Sequence, residues 1–193
     1  MGNISDAAKA FSKLLDIEYQ IILGKKKKTI LLSIIFDKNH FSHLAGLQYL
    51  EDIPDLFRSR RDIVFDKILN NSITYSQIES SSFYPQIKER IEYLYFLEEI
   101  FDSNKTVFKY NPQMEVFSTI QADFLLKNQI QSRNIFTFLA NDKKSGKYFC
   151  RSFFPQTNKN YSENQTNWTL LYKKKIQKSS GEEIVLFDKL KRL

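Results

Sequence analysis

Five short apolar runs crowd residues 105–193: TVFKY (106–110), STIQADFLLKN (118–128), NIFTFLAND (134–142), KYFCRSFF (147–154) and WTLLYKKKI (168–176). Each is bounded by polar or turn-forming residues, and each is rich in Val, Ile, Thr or aromatic side chains, so each reads as a strand. Strands that follow one another without intervening helices pair antiparallel. NDKKSGK (141–147) is a turn with Gly146 at its permissive position, and the polar loop PQTNKNYSENQTN (155–167) joins the last two runs.

Residues 1–104 have a different texture. Ile4, Ala7, Ala8, Phe11, Leu14, Leu15 and Ile22 fall at helical spacing, which predicts a helix over 4–23 closed by Gly24 and Lys25 to Lys28. TILLSIIFD (29–37) reads as a buried strand, and Asp37 or Asn39 caps a following helix that carries both histidines to about Leu50. Beyond Pro54, Phe57, Ile63, Val64, Ile68 and Leu69 share a face, with Arg58, Arg60 and Arg61 elsewhere. TYSQIESSSFY (74–84) reads as a short helix, and Pro85 begins a longer one with Ile87, Ile91, Leu94 and Phe101 on its core stripe. Helices first and strands last imply an α+β architecture. The expectation is one domain over 1–193, mainly helical with one early strand over 1–104 and an antiparallel sheet over 105–193.

Composition narrows the function classes. A formal charge of +7 with a pI near 9.3 favours a polyanionic partner, although a lysine-rich solvated surface gives the same charge. Cys150 is the sole cysteine, which excludes an internal disulfide framework and a cysteine-rich zinc site. No secretory signal and no membrane-length apolar run is present, so a cytoplasmic protein is expected, in a host cell if phage-encoded. No P-loop or GxGxxG occurs, so no cofactor is expected.

Chemistry centres on HFSHLAGL (40–47), which holds the chain's two histidines. His40 and His43 sit at i,i+3, and partial burial beside cations lowers a histidine pKa toward general-base use at neutral pH. Gly46 permits close approach of a backbone or ligand, but a hydrogen-bonded core histidine beside a glycine helix contact explains the same residues. No HExxH-like partner follows, so metal ligation is not expected. In KYFCRSFF, strict alternation puts Tyr148, Cys150, Ser152 and Phe154 on one face and Lys147, Phe149, Arg151 and Phe153 on the other. Arg151 beside Ser152 suits phosphate binding, whereas a thiolate at Cys150, among aromatics, is disfavoured. Lys173 and Lys175 share one face of LLYKKKIQKSS and Lys174 the other, an arrangement that tracks a phosphate backbone or guards an edge strand.

HFSHLAGL, SSSFYPQIKERIEYL, ADFLLKN, FTFLAND and CRSFF followed by LLYKKKI together resemble one group of the phage Barnase–EndoU–colicin–RelE-like nuclease domains, from about Tyr19 to Ile176. The resemblance implies N-terminal helices packed on a curved antiparallel sheet that carries the active site, and metal-independent cleavage of RNA. It assigns His43, from HLAGL, and Ser152, from SFF, to the site, and Phe36, Gly46 and Phe153 to structural positions. Arg151 as a catalytic cation and Lys173 with Lys175 as nucleic-acid contacts come from charge and position instead. The expected function is a small metal-independent ribonuclease or toxin, with His40 or Tyr161 as the second proton-transfer group. The expected partners are RNA, tRNA included, an antitoxin or a host protein, and no membrane. The alternative is a non-catalytic phage module that binds host nucleic acid or protein.

Overall fold

A computed structural model describes residues 2–114 and 118–190, apart from the side chain of Phe57, so that residue's place on the apolar face lies outside the described residues. Its elements run α1 (Ile4–Leu14), β1 (Ile17–Lys25), β2 (Lys28–Ile35), α2 (Lys38–Ala45), α3 (Pro54–Arg58), α4 (Arg61–Leu69), α5 (Tyr75–Glu79), α6 (Lys88–Leu94), α7 (Leu97–Ser103), β3 (Thr106–Lys109), β4 (Phe124–Ile130), β5 (Arg133–Asn141), β6 (Tyr148–Pro155), β7 (Thr166–Gln177) and β8 (Glu183–Asp188). Two of the helices, α3 and α5, are five-residue pieces, which suits the Pro54 that opens the first and the Thr74 and Ser80 that flank the second.

The sheet is closed, not merely curved. Strand order β1-β2-β6-β5-β4-β3-β7 returns to β1 through a β1–β7 pairing, giving a seven-stranded barrel with β8 appended to β7. Closure depends on the early region, which supplies two strands where the sequence predicted one. The expected helix over 4–23 ends at Leu14, because Ile17, Tyr19, Ile21 and Leu23 alternate and every one of them is buried. Helical spacing in 4–14 therefore stops at Asp16, and the lysines after Gly24 form a hairpin turn rather than a helix cap. Lys25 pairs with Lys28, and Lys26 takes a left-handed φ of 55°.

All pairings are antiparallel except β2–β6, where a single parallel bridge joins Ile34 and Tyr148. This thin seam is reinforced by side chains: Glu18 accepts from Ser33 at 2.8 Å and from Lys147 at 2.8 Å. A second irregularity matters more for function. Phe138 pairs with Ser152 but Leu139 pairs with Cys150, so Arg151 is the extra residue of a β-bulge. The bulge reverses the alternation predicted for KYFCRSFF. Cys150 and Phe153 both point into the main core, while Ser152 and Phe154 point outward.

The main core joins the inward strand residues to α1, α2, α4, α6 and α7. Its aromatic centre is Phe11, which meets Phe36, Phe41 and Phe65 edge-on at 5.5–6.0 Å. Such contacts add about 0.5–1.5 kcal/mol each beyond simple burial, and they fix α2 against the barrel. Outside β4 and β5, a smaller core of Tyr110, Leu125, Phe136 and Phe138 is covered by Phe154 and Tyr161. Many of the chain's aromatics thus serve two cores on opposite faces of one sheet.

Candidate active site

Asp37 caps α2 by accepting from the backbone N–H of Asn39, and His40 completes the box by accepting from the Asp37 N–H through Nδ1 at 3.1 Å. Its ring also stacks on Phe149 at 5.0 Å. His40 is therefore a structural cap, with burial holding its pKa below the ordinary histidine range. Gly46, expected inside a longer helix, ends α2 with φ 80°. A Cβ there would lie 2.8 Å from Ile87 Cγ2 and 3.3 Å from Arg90 Cδ. Glycine thus serves twice, for the left-handed cap and for the close approach of the Ile87–Arg90 turn.

That approach brings Arg90 toward His43. The imidazole of His43 is half-buried, and its pKa is lowered first by burial and then by the charges of Arg151, Arg61 and Arg90, against a hydrogen bond with the Arg151 backbone. None of these three arginines has a carboxylate partner among the described residues. Arg90 instead lies over the rings of Tyr49 at 5.5 Å and Phe154 at 5.3 Å. Arg151 is exposed on its bulge. A neutral imidazole surrounded by unneutralised guanidinium groups is arranged to receive an anion.

Next to this cluster lies an open cleft of about 370 Å³, whose lining includes Arg90, Tyr49, Ser152, Phe154, Tyr161 and Gln86. Ser152 stands in the cleft beside Arg151, and no hydrogen bond is made by its hydroxyl among the described residues. His43 is not one of the cleft's lining residues; it meets the cleft through Arg90 and the Arg151–Ser152 backbone. Glu89 is at the rim, ion-paired with Arg133. Among the described residues no group of three or more His, Cys, Asp or Glu side chains is placed to hold a metal ion.

The basic strand requires correction. Lys173 is 1% exposed, and its ammonium donates to the carbonyl oxygens of Phe101 at 2.7 Å, Asp102 at 3.2 Å and Asn104 at 2.5 Å. It closes the carboxyl end of α7, where orphan carbonyls attract a cation, so it is not a phosphate contact. Lys175 faces the same way and binds Glu98 at 2.5 Å and Asp102 at 3.1 Å. The charges of these two lysines are taken up by groups of helix α7 and the segment that follows it. Their inward direction follows from register, since Lys173 pairs with buried Ile21 and Lys175 with buried Tyr19.

Sequence reasoning missed Arg90 and Tyr49. Arg90 follows Ile87 by three residues on a stripe read as core, and the signal was Gly46, which needed a neighbour close enough to exclude a side chain. Cys150 is sealed in the core, where burial pushes its thiol up and leaves it inert. No helix is long and apolar enough to cross a membrane among the described residues.

The family model described as phage-Barnase-EndoU-ColicinE5/D-RelE like nuclease4 matches residues 3–190. No curated protein and no solved structure gives a significant match.

Proposed function

From the premise that the chain belongs to this phage-type nuclease family, we propose that it is a metal-independent endoribonuclease whose base is His43. The observation that carries the reading is the half-buried His43 among Arg61, Arg90 and Arg151, guanidinium groups with no carboxylate partner. Arg90 and Arg151 hold the scissile phosphate. His43, neutral at physiological pH, takes the proton from the ribose 2′-hydroxyl as that oxygen attacks phosphorus. The bond from phosphorus to the 5′-oxygen breaks, and the leaving oxygen takes a proton from a donor in the cleft, for which the Tyr161 phenol is the candidate. The products are a 2′,3′-cyclic phosphate and a 5′-hydroxyl. Ser152 supplies a hydroxyl donor to a phosphate oxygen. Arginines suit this task because their charge persists beside a base that must stay neutral.

A toxin acting in a host cytoplasm, restrained by an antitoxin, is the biological setting proposed for such an activity. The non-catalytic binding module remains the second reading, because the cleft and cations would also serve a binder. Incubating the purified protein with total RNA and with tRNA, with and without excess EDTA, separates the two. The expected result is cleavage in EDTA that leaves cyclic-phosphate ends. Loss of cleavage on chelation, restored by a divalent ion, would overturn the mechanism. RNA binding without cleavage would favour the module.

A further inference from the structure

We propose that the cleft beside Arg90 is a nucleobase subsite, so that the enzyme requires an unpaired base adjacent to the scissile phosphate; this rests on the phosphate-cleaving role given to His43 and the arginines. The cleft has the composition that a base calls for. Tyr49 is 43% exposed at its rim, with one face of its ring engaged by Arg90. Phe154 and Tyr161 form an aromatic wall, their ring centroids 5.3 Å apart. Gln86, Thr119 and Thr157 add neutral polar groups that can donate to or accept from a base edge. The lining carboxylate, Glu89, is paired with Arg133 and so does not repel an incoming phosphate strand.

The same arginine makes the two halves of the site continuous. Arg90 is over Tyr49 and Phe154 on the cleft side, and its charge also acts on His43. A nucleotide whose phosphate sits on Arg90 therefore has its base within reach of the aromatic wall. A volume of about 370 Å³ lies at the lower end of the range for small-molecule sites, roughly 300–1,000 Å³. A base held in a duplex, stacked and paired on both sides, cannot enter such a cleft. Single-stranded or looped RNA can, since every unstacked base offers a face for aromatic stacking.

The test compares binding of inorganic phosphate with binding of nucleoside 3′-monophosphates by titration calorimetry, in wild type, Tyr49→Ala and Tyr49→Phe. Tyr49 is exposed enough for either variant to fold, which thermal unfolding checks. The subsite predicts at least tenfold tighter binding of a nucleotide than of phosphate in wild type. Tyr49→Ala should weaken nucleotide binding at least tenfold more than phosphate binding, while Tyr49→Phe retains most of the gain. Equal affinity for phosphate and nucleotide in wild type would overturn the subsite but leave the phosphate site intact. An equal loss of both ligands in Tyr49→Ala would also overturn it, because Tyr49 would then only position Arg90. Failure of wild type to bind either ligand would overturn the subsite and the phosphate site together.

Discussion

Two clusters of cations in this fold meet opposite conditions. Lys173 and Lys175 lie under α7, where three carbonyl oxygens and the carboxylates of Glu98 and Asp102 receive every charge. Arg61, Arg90 and Arg151 surround His43 with no carboxylate among the described residues to neutralise them. The first cluster resolves a structural problem, the buried carbonyl end of a helix. The second creates an unresolved one, which an anionic substrate removes. Charge alone did not distinguish them; the acceptors around each did.

The contrast can be broken most forcefully by mutation of the proposed base. His43→Ala should lower RNA cleavage by about 10²–10⁴-fold, the usual contribution of a general base, with little change in unfolding temperature because the side chain is only half-buried. His40→Ala should retain cleavage and lose a helix cap. The kcat/KM of the wild type, which reports the free enzyme, should stay level down to below the ordinary histidine range, near pH 6.5, and fall only as His43 gains its proton. The sign follows from burial and neighbouring arginines, which disfavour the charged imidazole.

Lys173→Met should act in the opposite sense. Removing the ammonium leaves buried carbonyls without a donor and should cost about 3 kcal/mol in stability, read as a drop in the denaturant midpoint. Burial also holds the Lys173 pKa down to about 8. Because the folded value lies below the unfolded one, the folded state binds fewer protons between pH 8 and the ordinary lysine value. Stability from this group should therefore rise with pH across that window.

The smallest effect is a slope. Each phosphate neutralised on a single strand contributes about −0.7 to the dependence of log affinity on log salt. Arg151→Ala should make that slope shallower by about this amount, whereas Lys175→Ala should leave it unchanged. A slope that responds to Lys175 instead would restore the strand to the RNA interface.

Much of the architecture was legible because periodicity reports burial directly. The five late strands, the cap at Asp37 and the pairing of His43 with a close glycine all follow from local patterns. Barrel closure did not, because residues 17–23 satisfy both a helical and an alternating reading until the partner strand β7 is known. The two faces of KYFCRSFF were misread at Arg151 because a bulge leaves no mark in a short apolar run. The role of Lys173 was hidden for a related reason: a strand's lysine points inward only where a helix end supplies acceptors, and that helix lies about seventy residues away in sequence. Arg90 was hidden on a core stripe, where only three-dimensional contact with Gly46 gives it away.

With only two histidines in the chain, imidazole resonances provide the most direct test of the central claim. NMR titration of the free protein, with His40→Ala to assign the signals, should show His43 gaining its proton below the ordinary histidine value. Adding inorganic phosphate should then raise the His43 pKa and move its resonances, since the anion screens the surrounding arginines, while the capped His40, on which only Arg61 of the three acts, should respond less. A His43 that titrates at the ordinary value and ignores phosphate would contradict the account.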